Sequence, residues 1–198
     1  NITGSDGSSG NNGAAINLDV HDASQGVQDS WIFFGDSVTE DVMFHYSDGS
    51  SVGNFAELIN ASRPGNFPAY EDGGIWGLIS TDGAQHVAGW LTTFPGKYVG
   101  LAYGTNDANG CGNTTTFYNN YVTMVQAVLA AGKIPVVPTI PWARTANVQS
   151  CAPALNAKIQ ALYTAYPQIV KGPDLWTYFQ QNQSLISSDN LHPSAAGY

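Results

Sequence analysis

From Trp31 to the end of the chain, short apolar runs alternate with longer segments of helical periodicity, and this alternation restricts the fold more than any other feature. The runs Trp31–Phe34, Tyr98–Tyr103, Ile134–Ile140 and Ile169–Val170 are too short for helices and read as strands buried on both faces. Between them lie helical patterns at Phe55–Asn60, Ala84–Phe94, Phe117–Ala131 and Leu155–Tyr166, with Gly132 as a stop after the third. A further strand is needed near Phe67–Tyr70, where the signal is faint. Such alternation predicts a parallel sheet between two layers of helices, with sites at the carboxyl ends of the strands. No internal repeat is present.

Composition narrows the partners. Hydrophobic residues make up 43% of the 198 positions, enough to bury one domain's core. The formal net charge of −9 repels phosphate backbones, which argues against nucleic acid. There is no apolar run long enough to span a membrane. Residues 1–29 are Gly/Ser/Asn-rich and hold one alternating run, Ile16, Leu18 and Val20, that reads as a half-buried strand. This segment is either an extension of the main domain or the tail of a preceding β-rich module. Cys111 and Cys151, both in contexts that read as loops, are expected to pair, as suits a secreted protein of low charge. Asn1, Asn60, Asn113 and Asn182 each open an Asn-x-Ser/Thr sequon. The segment His192–Tyr198 reads as the first turn of a further helix covering the sheet, so the chain is expected to continue beyond it.

Three short segments carry chemistry. Gly35-Asp36-Ser37 ends the first strand, which puts the Ser37 hydroxyl at the carboxyl edge of the sheet; a nucleophile there needs a base, and a plain helix cap does not. Of the four histidines, His21 lies in the atypical N-terminal segment, and His45 and His86 lie in or beside helical patterns. His192 stands three residues after Asp189, a spacing that lets the carboxylate orient the imidazole, although a helix cap with a solvated histidine has the same pattern. Asn106, directly after the strand Tyr98–Tyr103, can aim an amide N–H at a developing oxyanion or belong to an ordinary turn.

Gly-Asp-Ser, then Gly104-Thr105-Asn106-Asp107, then Asp189-Asn190-Leu191-His192-Pro193, in that order, resemble the SGNH (GDSL) hydrolase superfamily across Trp31–Tyr198. The family's fourth element, a glycine on the loop after the second strand, aligns with Asp72-Gly73-Gly74-Ile75-Trp76-Gly77. Gly77 is the match, Gly74 is the alternative, and Asp72 stands where the family usually has Asn. The resemblance implies a flavodoxin-like α/β/α sandwich with a five-stranded parallel sheet over residues 30–198. It implies Ser37 as nucleophile, His192 as base and acid, and Asp189 as its orienting group. It implies an oxyanion hole of the Ser37 and Gly77 N–H groups and the Asn106 side chain. Neither a metal nor an organic cofactor is implied.

Other classes lack their motifs: there is no Gly-x-Ser-x-Gly elbow, His-Glu-x-x-His or phosphate-cradling loop. A non-catalytic carbohydrate binder would use Trp76, Trp90, Tyr103 or Trp142 for stacking but has no need of Ser37, Asn106 and His192 together. Asp36, Trp76 and Trp142 are the candidate substrate contacts. The expected substrate is an acetyl or short-acyl ester of a carbohydrate, with a lipase-like activity on lipid or aryl esters as the alternative.

Overall fold

A computed structural model describes residues 30–43, 55–63, 69–93 and 96–198. The expected strand at Ile16, Leu18 and Val20, together with His21 and His45, lies outside the described residues. Five parallel strands form the sheet: β1 (Ser30–Gly35), β2 (Ala69–Gly74), β3 (Tyr98–Ala102), β4 (Ile134–Val137) and β5 (Val170–Lys171). Their spatial order is β2-β1-β3-β4-β5. The chain therefore winds one way from β1 to β2 and the other way from β3 onward, and the crevice between β1 and β3 is the switch point where such sheets bind ligands.

The helices are α1 (Ser37–Met43), α2 (Phe55–Ser62), α3 (Ser80–Trp90), α4 (Thr105–Asn109), α5 (Thr114–Ala130), α6 (Ala146–Ala165) and α7 (Leu175–Gln181). Strand parity sorts the side chains. Ile32, Phe34, Val99, Leu101 and Val137 are buried in one core with Val87 of α3, Met124 and Val125 of α5, and Leu155 and Ile159 of α6. Trp31 and Phe33 point the other way, and Trp31 stacks on both Phe33 and Tyr98. On that second face an apolar groove of about 370 Å³ runs between Val38 and Val42 of α1 and Leu175 and Phe179 of α7. The result is the three-layer α/β/α sandwich that the alternation predicts.

Element boundaries differ where local chemistry outweighs periodicity. Helix α5 begins at Thr114 because the Asn113 side chain accepts from the Thr115 and Thr116 N–H groups, and it stops before Gly132, whose φ is +70°. Helix α6 starts nine positions before the expected Leu155 and accommodates Pro153 at its eighth position. Cys151 consequently lies within a helix and not in a loop, while Cys111 sits in the turn after α4; the two form a disulfide. Helix α7, capped by Asp174 accepting from Thr177 N–H, was not expected from the sequence. The segment from His192 to Tyr198 forms no helix; a turn closes where the Gly197 and Tyr198 N–H groups donate to Ser194 O.

Candidate active site

Gly35 ends β1 against α1, where a Cβ would collide with the Thr39 side chain; only glycine lets the chain turn so tightly into the helix. Ser37 is the first residue of that helix, and its N–H has no partner among the described residues. Its Oγ lies 2.8 Å from His192 Nε2, although 155 positions separate the two residues. On the other side of the ring, His192 Nδ1 is 2.6 Å from Asp189 Oδ2. Oδ1 of the same carboxylate accepts from Ser187 Oγ at 2.6 Å, Leu191 N at 2.9 Å and His192 N at 3.0 Å. Partial burial pushes the Asp189 carboxyl up, but the bonds from Ser187, His192 and the two backbone N–H groups outweigh it, holding the group well below the usual carboxylate range. Asp189 is thus an anion that fixes the Nδ1–H tautomer of His192, leaving Nε2 to accept from Ser37.

The loop carrying this pair is held from outside. Asn190 adopts φ +66°, a left-handed conformation that Asn tolerates, and its carbonyl accepts from the Arg144 N–H, the Thr145 N–H and the Thr145 hydroxyl. The Arg144 guanidinium donates to the carbonyls of Ser187 and Gln183. Sequence reasoning missed Ser187, Arg144 and Thr145, because nothing local links them to Asp189.

Two further donors converge from neighbouring strands. After β2, Ile75 to Leu78 form a turn closed by Leu78 N–H on Ile75 O, and Gly77 at its third position has φ +79°. The Gly77 N–H donates to no described residue. Gly74 is different: its N–H is already given to Asp72 Oδ1 at 2.7 Å, which leaves Gly77 as the glycine with a donor to spare. After β3, Asn106 Nδ2 donates to Leu78 O at 3.0 Å. A carboxamide carries a second N–H, so this bond ties Asn106 to the Gly77 loop without exhausting it.

Buried acids hold these loops together. Asp36 is 0% exposed and accepts from Val38 N and Thr105 N, joining the end of β1 to the end of β3. It is therefore a strut beneath the site, a correction to its expected role as a substrate contact. Burial pushes its carboxyl up to about 7, against the opposing bonds from Val38 and Thr105 and with help from the Asp107 charge. Asp107 accepts from both the N–H and the hydroxyl of Ser80, fixing the start of α3 to the loop that carries Asn106. Asp72 is likewise raised to about 7 by burial, opposed by the Gly74 N–H and reinforced by Glu40.

The aromatic candidates separate. Trp76 is 57% exposed, and its indole N–H donates to Asp41 Oδ1 at 3.1 Å. Trp142, expected as a substrate contact, is instead buried in a small cluster with Phe179 and Ile186, away from solvent. Tyr103 is also buried, Trp90 packs on Phe34 of the core, and His86 lies against Trp90 on α3.

The profile of the GDSL-like lipase/acylhydrolase family matches residues 33–198. The chain belongs to that family. Its activity class is accordingly that of a carboxylic ester hydrolase. Solved structures agree on the fold. A lipase/acylhydrolase from Enterococcus faecalis superposes with a TM-score of 0.70 at 21% identity, covering 86% of this chain and 89% of that one. The psychrotrophic esterase EstA from Pseudoalteromonas sp., in a structure inhibited by monoethylphosphonate, gives 0.70 at 12% identity, covering 85% and 90%. A lipolytic protein of the G-D-S-L family from Veillonella parvula gives 0.67 at 20%, covering 85% and 91%. Among curated protein sequences none matches this chain. No helix among the described residues is long and apolar enough to cross a membrane.

Proposed function

We propose that this GDSL-family hydrolase works through an acyl-enzyme on Ser37 and that its substrates are acetyl or other short-acyl esters of carbohydrates. The observation that carries the mechanism is the continuous chain Ser37 Oγ, His192 Nε2, His192 Nδ1 and Asp189 Oδ2, with contacts of 2.8 and 2.6 Å. Ser37 Oγ attacks the ester carbonyl as its proton passes to His192 Nε2. The resulting oxyanion takes hydrogen bonds from the N–H groups of Ser37 and Gly77 and from the Asn106 amide. Collapse breaks the bond to the alkoxy oxygen, and His192 returns the proton to the leaving alcohol. Water then repeats the sequence on the acyl-enzyme and releases the acid.

Three features support the carbohydrate reading: an exposed aromatic beside the site at Trp76, a polar low-charge composition, and a Cys111–Cys151 disulfide that suits a secreted enzyme. One observation favours the lipase-like alternative. The apolar groove on the second sheet face is lined by Val38 and Pro193, neighbours of Ser37 and His192, and offers room for a long acyl chain.

The decisive experiment is p-nitrophenyl acetate turnover by wild type and Ser37→Ala, followed by an acyl-length series beside acetylated xylan. Turnover lost in Ser37→Ala, with preference for acetyl over chains of about eight carbons, is the expected result. Preference for the longer chains assigns the enzyme to lipids, and undiminished turnover in Ser37→Ala removes the acyl-enzyme altogether.

A further inference from the structure

Resting on the acyl-enzyme reading above, we infer that Trp76 is the specificity-determining wall for the alcohol half of the substrate, held rigid by α1 so that its exposed face stacks on a sugar ring. The side-chain N–H of this residue is tied to the helix that begins with Ser37. The indole N–H donates to Asp41 Oδ1 at 3.1 Å. Asp41 is itself buried and takes a second bond, from the Tyr198 hydroxyl to Oδ2 at 3.2 Å. Asp41 lies four positions after Ser37, one helical turn away on the same face. The indole is thereby anchored to α1 one turn from the nucleophile.

Exposure makes this arrangement unusual. A tryptophan N–H usually finds a protein partner when the ring is buried. Here the N–H is fixed while 57% of the residue faces solvent. Its neighbours Ile75 and Ile79 are 47% and 37% exposed, so the turn presents an apolar rim around the Gly77 donor. A ring whose position costs no further ordering on binding, with one open π-face, matches the apolar CH face of a pyranose.

The chemistry gives a selective test. All acetate esters share one acetyl-enzyme, so a residue that reads the alcohol alters acylation and leaves deacylation unchanged. Wild type, Trp76→Ala, Trp76→Phe and Asp41→Ala are to be assayed with acetylated xylo-oligosaccharides, p-nitrophenyl acetate and ethyl acetate. For Trp76→Ala, kcat/KM on the sugar esters should fall roughly three- to tenfold, the scale of one aromatic face, while ethyl acetate is unchanged. Trp76→Phe and Asp41→Ala, which keep a ring but release it from its anchor, should fall between. An equal loss on all three substrates overturns the proposal and makes Trp76 a support for the Gly77 turn. A loss confined to p-nitrophenyl acetate overturns the sugar assignment. No change with any substrate also overturns it. Ser37→Ala, run in parallel, separates these outcomes: if it remains active, the acyl-enzyme reading fails, whereas an inactive Ser37→Ala beside an unaltered Trp76→Ala fails the inference alone.

Discussion

Ser187 donates its hydroxyl proton to Asp189 Oδ1 at 2.6 Å, so the two carboxylate oxygens have separate duties: Oδ1 is held by the loop, and Oδ2 faces His192. The Asp189 side chain is 50% exposed, and burial alone does not orient it. Removing the hydroxyl takes one donor from a charged acceptor, and Ser187→Ala should lower kcat by roughly tenfold with KM little changed. The carboxylate left behind attracts the imidazolium more strongly, so the acid limb of kcat/KM should move to higher pH. Ser187→Thr, which restores the hydroxyl, should return both. A fall in thermal midpoint with an unmoved acid limb would assign Ser187 a purely structural role.

Asn106 is bonded to Leu78 O and thereby spans the two loops that bring backbone and side-chain donors together. Asn106→Ala should reduce kcat by about 10²–10³-fold, the usual loss for one oxyanion donor. A kcat within a few-fold of wild type would mean that the amide only braces the Gly77 turn.

Stability should fall as pH rises through the weakly acidic range. Asp36 is raised from 3.8 to about 7, and Asp72 is raised to the same value, so the folded protein binds protons that the unfolded chain has already lost. Where the native state holds more protons, stability falls as pH rises, here across the window from about pH 4 to about pH 7. For the fully buried Asp36 the effect reaches about 4 kcal/mol at most. The thermal midpoint should therefore climb as pH drops from 8 to 5, and its slope should flatten in Asp36→Asn. A midpoint insensitive to pH in this window would show that Asp36 stays ionised when folded.

The Cys111–Cys151 disulfide closes a separation of 40 residues between the turn after α4 and helix α6. In the chain-entropy account, replacing both cysteines with serine lowers stability by about 4 kcal/mol. The check is denaturant unfolding of oxidised wild type against the double variant; equal midpoints would show that contacts between α4 and α6 suffice without it.

The parts of this molecule that were legible in the sequence are those fixed by nearest neighbours. Buried strands announce themselves as apolar runs, and Ser37, Asn106 and His192 stand where such a strand ends or a turn begins. β2 was faint because its sequence, Ala-Tyr-Glu-Asp-Gly-Gly, carries acids and glycines in place of branched apolar residues. Helix α6 extends nine positions before the expected Leu155 and runs through Pro153, with Val148 and Ala152 buried in the turns before it. Trp142 and Asp36 look like site residues by position, and only three-dimensional packing shows one facing Phe179 and the other enclosed beneath Ser37. The clamp of Arg144 on the carbonyls of Ser187 and Gln183 crosses about forty positions, beyond any periodicity or cap signal.

The hydrogen bond between Ser37 and His192 bridges 155 positions, and this has a consequence during synthesis. A ribosome releases the nucleophile on the order of ten seconds before the base that activates it. Throughout that interval the growing chain can pair its first strands but has no means of forming an acyl-enzyme. Ester hydrolysis thus begins only after synthesis has passed His192, and products terminated before that residue lack the base for Ser37.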